Sequence, residues 1–224
     1  MRSRITPTIR NGKLPRDFRK NVFINCPFDD AYLRLFRAIV FTVHVLGFNL
    51  RCALEESNAG NTRIDKIQNI IAACKYSIHD LSRTQLDRVN RLPRFNMPLE
   101  LGLDLGCKRF GRFHEREKAI LILDVQPYRY QRFISDISGQ DVYAHGGTQS
   151  GVINVVRDWL MLELDPDKVV IPSGAEIFNK FGRFKRALPS ICEELHWNPD
   201  RLGFAGYAYA VASWVKANPP HEPS

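Results

Sequence analysis

The chain has 224 residues, 44% of them hydrophobic and 25% charged, with a formal charge of +8 at pH 7. That length fits one generous domain, or one domain with a helical appendage, and it allows a large core. No apolar run approaches the roughly 18–20 residues of a membrane span, so no membrane partner is expected.

The charge is uneven. Arg2, Arg4, Arg10, Lys13, Arg16, Arg19 and Lys20 face only Asp17 within residues 1–20, which carry +6 and leave +2 for the rest. The segment lacks the apolar stretch of a signal peptide and reads as a flexible basic arm, either a solvated tail or a weak binder of phosphate or nucleic acid. Five cysteines, Cys26, Cys52, Cys74, Cys107 and Cys192, form no CxxC pair and no zinc spacing, which indicates reduced thiols and a cytoplasmic setting.

Asn21 to Cys26 is a short, nearly continuous apolar run that stops at Pro27, as a strand buried on both faces does. Asp29 and Asp30 then open a helix whose stripe is Tyr32, Leu35, Phe36, Ile39, Val40, Val43 and Leu46, closing at Gly47. Phe48 to Leu54 is extended again, so the chain opens with a strand, helix, strand unit suited to a parallel crossover. After the polar loop 55–61, Arg63 to Ala73 is a second helix with Ile64, Ile67, Ile70 and Ile71 inward, and Tyr76 to Leu81 is the third strand. Residues 84–94 form a polar loop leading into a third helix, with Asn96 as its expected N-cap and Pro98 and Glu100 in its first turn. Leu101 and Leu105 make one side of that helix greasy, while Gly102 and Gly106 leave another side bare enough for a close approach.

Lys108 to Glu117 is basic and Gly-containing and reads as a solvated loop. Lys118 to Asp124 is the fourth strand, Tyr128 to Ser135 is expected to be helical, Asp141 to Ala144 is a short edge strand, and Ser150 to Leu164 is an amphipathic helix. This alternation predicts an α/β fold, a flavodoxin-like doubly wound parallel sheet in the order 2-1-3-4-5, over residues 21–165. Residues 166–217 read as a helical extension with helices at Ala175 to Lys180, Lys185 to Leu195 and Phe204 to Lys216, packed on the sheet domain or on a partner subunit. A homo-oligomer or partner-protein contact through these helices is therefore expected, and 218–224 is a loose tail.

Ligands of open parallel sheets bind beyond the carboxyl ends of the strands, near the point where strand order reverses. That rule selects Asn25, Cys26, Pro27 and Phe28 after strand 1, Arg51 and Glu55 at strand 2, and Asp80, Ser82 and Arg83 after strand 3. It adds Asn96 and Glu100 on the next helix, with Asp124 and Gln126 after strand 4. There is no GxxxxGK[ST] phosphate loop, no GxGxxG after strand 1 and no GxSxG elbow, which argues against kinase, GTPase, dehydrogenase and serine-hydrolase chemistry. The six histidines are not spaced as ligands, so no metal site is expected.

Phe23-Ile24-Asn25-Cys26-Pro27-Phe28 resembles the strand-1 loop of nucleoside 2-deoxyribosyltransferases. Tyr76 to Asp80 and Pro98-Leu99-Glu100-Leu101-Gly102 look like that family's third strand and its Glu-x-Gly helix, and Asn96-Met97 stands at the offset where the related TIR-type NAD hydrolases carry Trp-Cys. The resemblance covers about the first 125–160 residues. It implies an enzyme that cleaves an N-glycosidic bond, with Glu100 meeting ribose C1′, Asn25 and Asp80 on the sugar hydroxyls, Phe28 on the base and Asn96 beside them. Cys26 replaces the family's glycine. Arg94-Phe95 replaces its upstream acid, which favours a leaving group that needs no protonation: nicotinamide leaving NAD. Arg51, Arg83 and Arg94 would then pair with the pyrophosphate. NAD enters as a substrate, with no separate cofactor expected. The alternative is a non-catalytic module that senses a nucleotide or nucleoside, or assembles with a partner, through the same rim.

Overall fold

The structure is a computed structural model and describes residues 14–55, 58, 60–84, 95–167 and 169–219. Five parallel strands, β1 (Asn21–Asn25), β2 (Asn49–Arg51), β3 (Tyr76–Asp80), β4 (Ala119–Asp124) and β5 (Val142–Ala144), lie in the order 2-1-3-4-5. The flavodoxin-like topology expected from the alternation is therefore present. The register places Ile24 opposite Ile78 and Asn25 opposite His79, so the ends of β1 and β3 meet at the order reversal.

Among the described residues the sheet is joined by six α-helices: α1 (Asp30–Val45), α2 (Arg63–Ala72), α3 (Asn96–Phe110), α4 (Gln149–Met161), α5 (Gly174–Glu194) and α6 (Phe204–Ala217). Four of them start on side-chain caps. Asp29, Thr62, Thr148 and Ser173 each accept the backbone N–H three residues on.

Strand periodicity sorts the core. Val22, Ile24, Tyr76, Ile78, Leu121 and Leu123 face α1 and α4, whereas Phe23 packs with Ile67, Ile70 and Ile71 of α2, and Ile122 packs with Met97 and Leu101 of α3. Helices α5 and α6 form a further layer outside α1 and α4. Phe41 of α1 lies 5.3 to 5.8 Å from the rings of Phe181, Phe184 and Trp214. Residues 38–43 of α1 are accordingly all buried, because this helix is covered by the sheet on one side and by α5 and α6 on the other.

Several expectations are corrected. The two helices expected at 175–180 and 185–195 are one 21-residue helix with Pro189 inside it. A continuous stripe, Ile177, Phe181, Phe184, Leu188 and Cys192, buries that helix along its whole length and outweighs the bond that Pro189 cannot donate. The helix expected at Tyr128 to Ser135 is a pair of 3-10 turns, Arg129–Arg132 and Ser135–Ile137, preceded by Tyr128 at φ 58°. Helix α3 runs on to Phe110, and His114–Glu117 forms a 3-10 turn, so much of the expected loop 108–117 is ordered helix. Within the stretch read as a flexible arm, the chain is already docked at Phe18, which is 1% exposed and whose carbonyl accepts the Lys75 N–H at 3.0 Å. Residues 1–13 and 220–224 lie outside the described residues. Among those described, no helix is long and apolar enough to cross a membrane.

Candidate active site at the carboxyl rim

Helix α3 carries its residues one position further into the helix than expected. Its N-cap position is Phe95, which makes no side-chain cap, and Asn96 is the first helical residue and exposed, so Asn96 is not the cap. Glu100 is therefore beyond the first turn, where the helix dipole has largely faded and no longer accounts for a carboxylate. The glycine face is bare in a different sense: among the described residues a Cβ on Gly102 or Gly106 would meet nothing within 4 Å. The side turned to the sheet is Met97, Glu100, Leu101 and Asp104, all buried at i, i+3, i+4 and i+7.

Glu100 is 7% exposed, and among the described residues its carboxylate has no hydrogen-bond or ion-pair partner. Burial pushes its pKa up to about 7, against a small opposing pull from the Arg63 guanidinium. The thiol of Cys26 lies in the same field. Burial raises it well above its usual range, and the carboxylates of Asp80, Glu100 and Asp29 raise it further. Cys26 is thus a neutral thiol packed in the core, not a nucleophile.

Asn25 fastens α3 to the sheet. Its Nδ2 donates to the Met97 carbonyl at 2.8 Å and meets His79 Nδ1 at 3.0 Å. With Nδ1 accepting, the His79 proton sits on Nε2, which donates to Asp104 at 2.9 Å. Asp104 also lies 3.2 Å from Lys118 Nζ, and that ammonium donates to the Ile71 carbonyl at 2.8 Å and to the Cys74 carbonyl. Burial acts to raise Asp104, but His79 and Lys118 outweigh it and hold the carboxyl below its ordinary value. A buried polar chain, Met97, Asn25, His79, Asp104 and Lys118, therefore runs beneath the rim.

Asp80 points to the other face of the sheet and is occupied there. Tyr32 Oη donates to it, the Ser82 N–H donates at 2.8 Å, and His145 Nε2 lies 3.1 Å away. The Gly147 N–H donates to His145 Nδ1, which leaves Nε2 as the protonated nitrogen. Burial pushes Asp80 up, yet these partners hold it below the usual carboxylate range. Tyr32→Phe removes one donor from this buried carboxylate and is expected to lose about 1–2 kcal/mol in urea denaturation at pH 7. Unchanged stability would show that Ser82 and His145 suffice.

The other expected site residues are dispersed. Arg51 is held by Glu55 through two 2.8 Å contacts from Nε, and Arg83 reaches Asp29 at 3.3 Å from an exposed position. Phe28 packs edge-on against Phe36 at 5.4 Å and lines a cavity of about 180 Å³ between the β1–α1 turn and the start of α6. Arg94 lies outside the described residues. Asp124 pairs with Arg129 at 2.6 Å, while its Oδ2 is buried without a hydrogen-bond partner among the described residues.

The structure thus gathers Asn25, Cys26, Asp80 and Glu100 around the end of β1, and it leaves Arg51, Arg83 and Phe28 engaged elsewhere. Sequence reasoning missed His79, Asp104 and Lys118. The signal for Asp104 was its i+4 spacing from Glu100, and for His79 its alternation with Asp80 in one strand. Among the described residues, no group of His, Cys, Asp or Glu is arranged to hold a metal ion. Compared with family models, curated proteins and solved structures, the chain matches nothing.

Proposed function

We propose that this protein cleaves an N-glycosidic bond, with NAD as its expected substrate and nucleosides or other nucleotides as related ones. The observation that supports this reading is Glu100, a buried carboxylate without a partner among the described residues, with its pKa raised to about 7, at the rim where open parallel sheets take ligands. A carboxylate spared from internal pairing keeps its charge for a positive centre. In the proposed reaction the bond between ribose C1′ and the nicotinamide nitrogen breaks, and its electron pair leaves with neutral nicotinamide. Glu100 stabilises the cationic C1′ until water adds there, and it takes the proton that this water sheds. Asn25 acts as a positioning residue, because its bond to the Met97 carbonyl holds the start of α3 against β1.

A second reading, a nucleotide-sensing or assembly module, draws support from the internal pairing of Asp80 and Arg51, which takes two expected ligand contacts out of use. Incubation with NAD, and separately with deoxynucleosides, followed by chromatography for free base, tests the proposal. Release of nicotinamide is the expected result. No base from any of them, with a nucleotide still raising Tm, would overturn it in favour of sensing.

A further inference from the structure

The far end of α3 carries a second surface of a different kind. Phe110 and Phe113 are 83% and 76% exposed, and Lys108, Arg109, Arg112 and Arg116 stand exposed around them. Two neighbouring aromatic rings left in water among four cations form a surface suited to a partner. An open groove of about 590 Å³, lined by Leu105, Lys108, Arg109, Arg116, Ile120 and Gln140, runs beside them.

The rings are presented by a pinned backbone. The Gly111 N–H donates to the Cys107 carbonyl at 2.8 Å, the Arg112 N–H donates to the buried Glu115 carboxylate, and Arg116 Nε donates to the Gly111 carbonyl at 3.2 Å. A Cβ on Gly111 would fall 2.2 Å from the Cys107 oxygen and 2.4 Å from Glu115 Oε2, so this hook tolerates only glycine. The basic N-terminal stretch joins the body at the same place: Phe18 packs edge-on against His114 at 5.1 Å, and Arg19 reaches Glu117 at 3.4 Å.

We propose that this surface binds single-stranded nucleic acid, with Phe110 and Phe113 stacking on bases and Lys108, Arg109, Arg112 and Arg116 meeting the phosphates. Exposed aromatic faces on a pinned backbone among cations match unstacked bases on a polyanionic strand, whereas a duplex hides its base faces. The surface is independent of the candidate active site. Ten residues of α3 separate Phe110 from Glu100, about 15 Å along the helix, toward the amino ends of the strands.

Fluorescence anisotropy with a labelled oligothymidylate of about 15 nucleotides tests this. Binding is expected to weaken with salt, because phosphate contacts release counterions. The Phe110→Ser/Phe113→Ser double variant is expected to bind roughly tenfold or more weakly, and Phe110→Tyr/Phe113→Tyr to retain affinity. Arg109→Ala is expected to flatten the salt dependence, by about 0.7 in log–log slope for each phosphate that Arg109 neutralises. Both rings are exposed, so these variants should keep the parent melting temperature. No binding at low salt would overturn the proposal, as would equal affinity of the serine variant, which would mean diffuse charge attraction only. Sedimentation with phosphatidylserine vesicles without oligonucleotide binding would overturn it in favour of a lipid surface.

Discussion

Glu100→Gln is expected to abolish most base release, by about 10²–10³-fold, and also to yield the more stable protein above pH 7. The first effect comes from removing the charge that meets C1′, the second from the raised pKa, about 7 in the folded chain against an ordinary 4.5. At pH below 4.5 the side chain is protonated in both the folded and unfolded states, so it makes no difference there. As pH rises from 4.5 to 7 the unfolded chain ionises first, and stability falls by about 1.4 kcal/mol per pH unit. Above pH 7 the penalty is constant, at most about 3 kcal/mol and about 2 once access of solvent to the carboxylate is allowed for. Glutamine carries no such penalty. Urea denaturation should therefore show the variant more stable by about 2 kcal/mol at pH 8 and nearly equal to the parent below pH 5. The wild-type pH profile of kcat/KM should rise with a midpoint near 7, because the ionised form is the one that meets C1′. A profile flat through neutrality would remove Glu100 from the chemistry.

Lys118→Met is expected to cost about 3–5 kcal/mol, since it leaves the buried Asp104 carboxylate with His79 alone and strips a donor from the carbonyls of Ile71 and Cys74. Adding Asp104→Leu removes the stranded charge and should recover about 2 kcal/mol, the remainder reflecting His79 and the two carbonyls. A double-mutant cycle in urea reads the coupling directly, and additive losses would mean that the Lys118–Asp104 pair carries none of it. The pH dependence has the opposite sign to that of Glu100. Asp104 is held below its ordinary 3.8, so its contribution is full above that pH and disappears as pH falls through its lower folded value.

The sheet was legible because its strands are short apolar runs with turn residues at their ends, and because the helices between them repeat at helical spacing. Strand order followed from the same alternation. What was not legible depends on contacts between distant segments. Pro189 is punctuation by local rules, but burial of Phe181, Phe184 and Leu188 against α1 and α6 decides that the helix continues. Arg51 and Asp80 were sound candidates by position, yet position cannot reveal that Glu55 and Tyr32 already occupy them. Glu100 differs because its place as a lone carboxylate among apolar residues, Met97, Leu101 and Leu105, was readable locally, and among the described residues it has no partner.

Helix α1 has no face to give to solvent along its middle, and this bears on where the unit of folding ends. A boundary after residue 165 looks natural in the sequence, where strand and helix alternation stops and prolines begin. Cutting there would uncover Phe41 and its neighbours, which lie against Phe181, Phe184 and Trp214. The sheet and its first helix thus depend on residues more than a hundred positions later. Closure of the core has to wait for α5 and α6, which serve as the outer wall over α1.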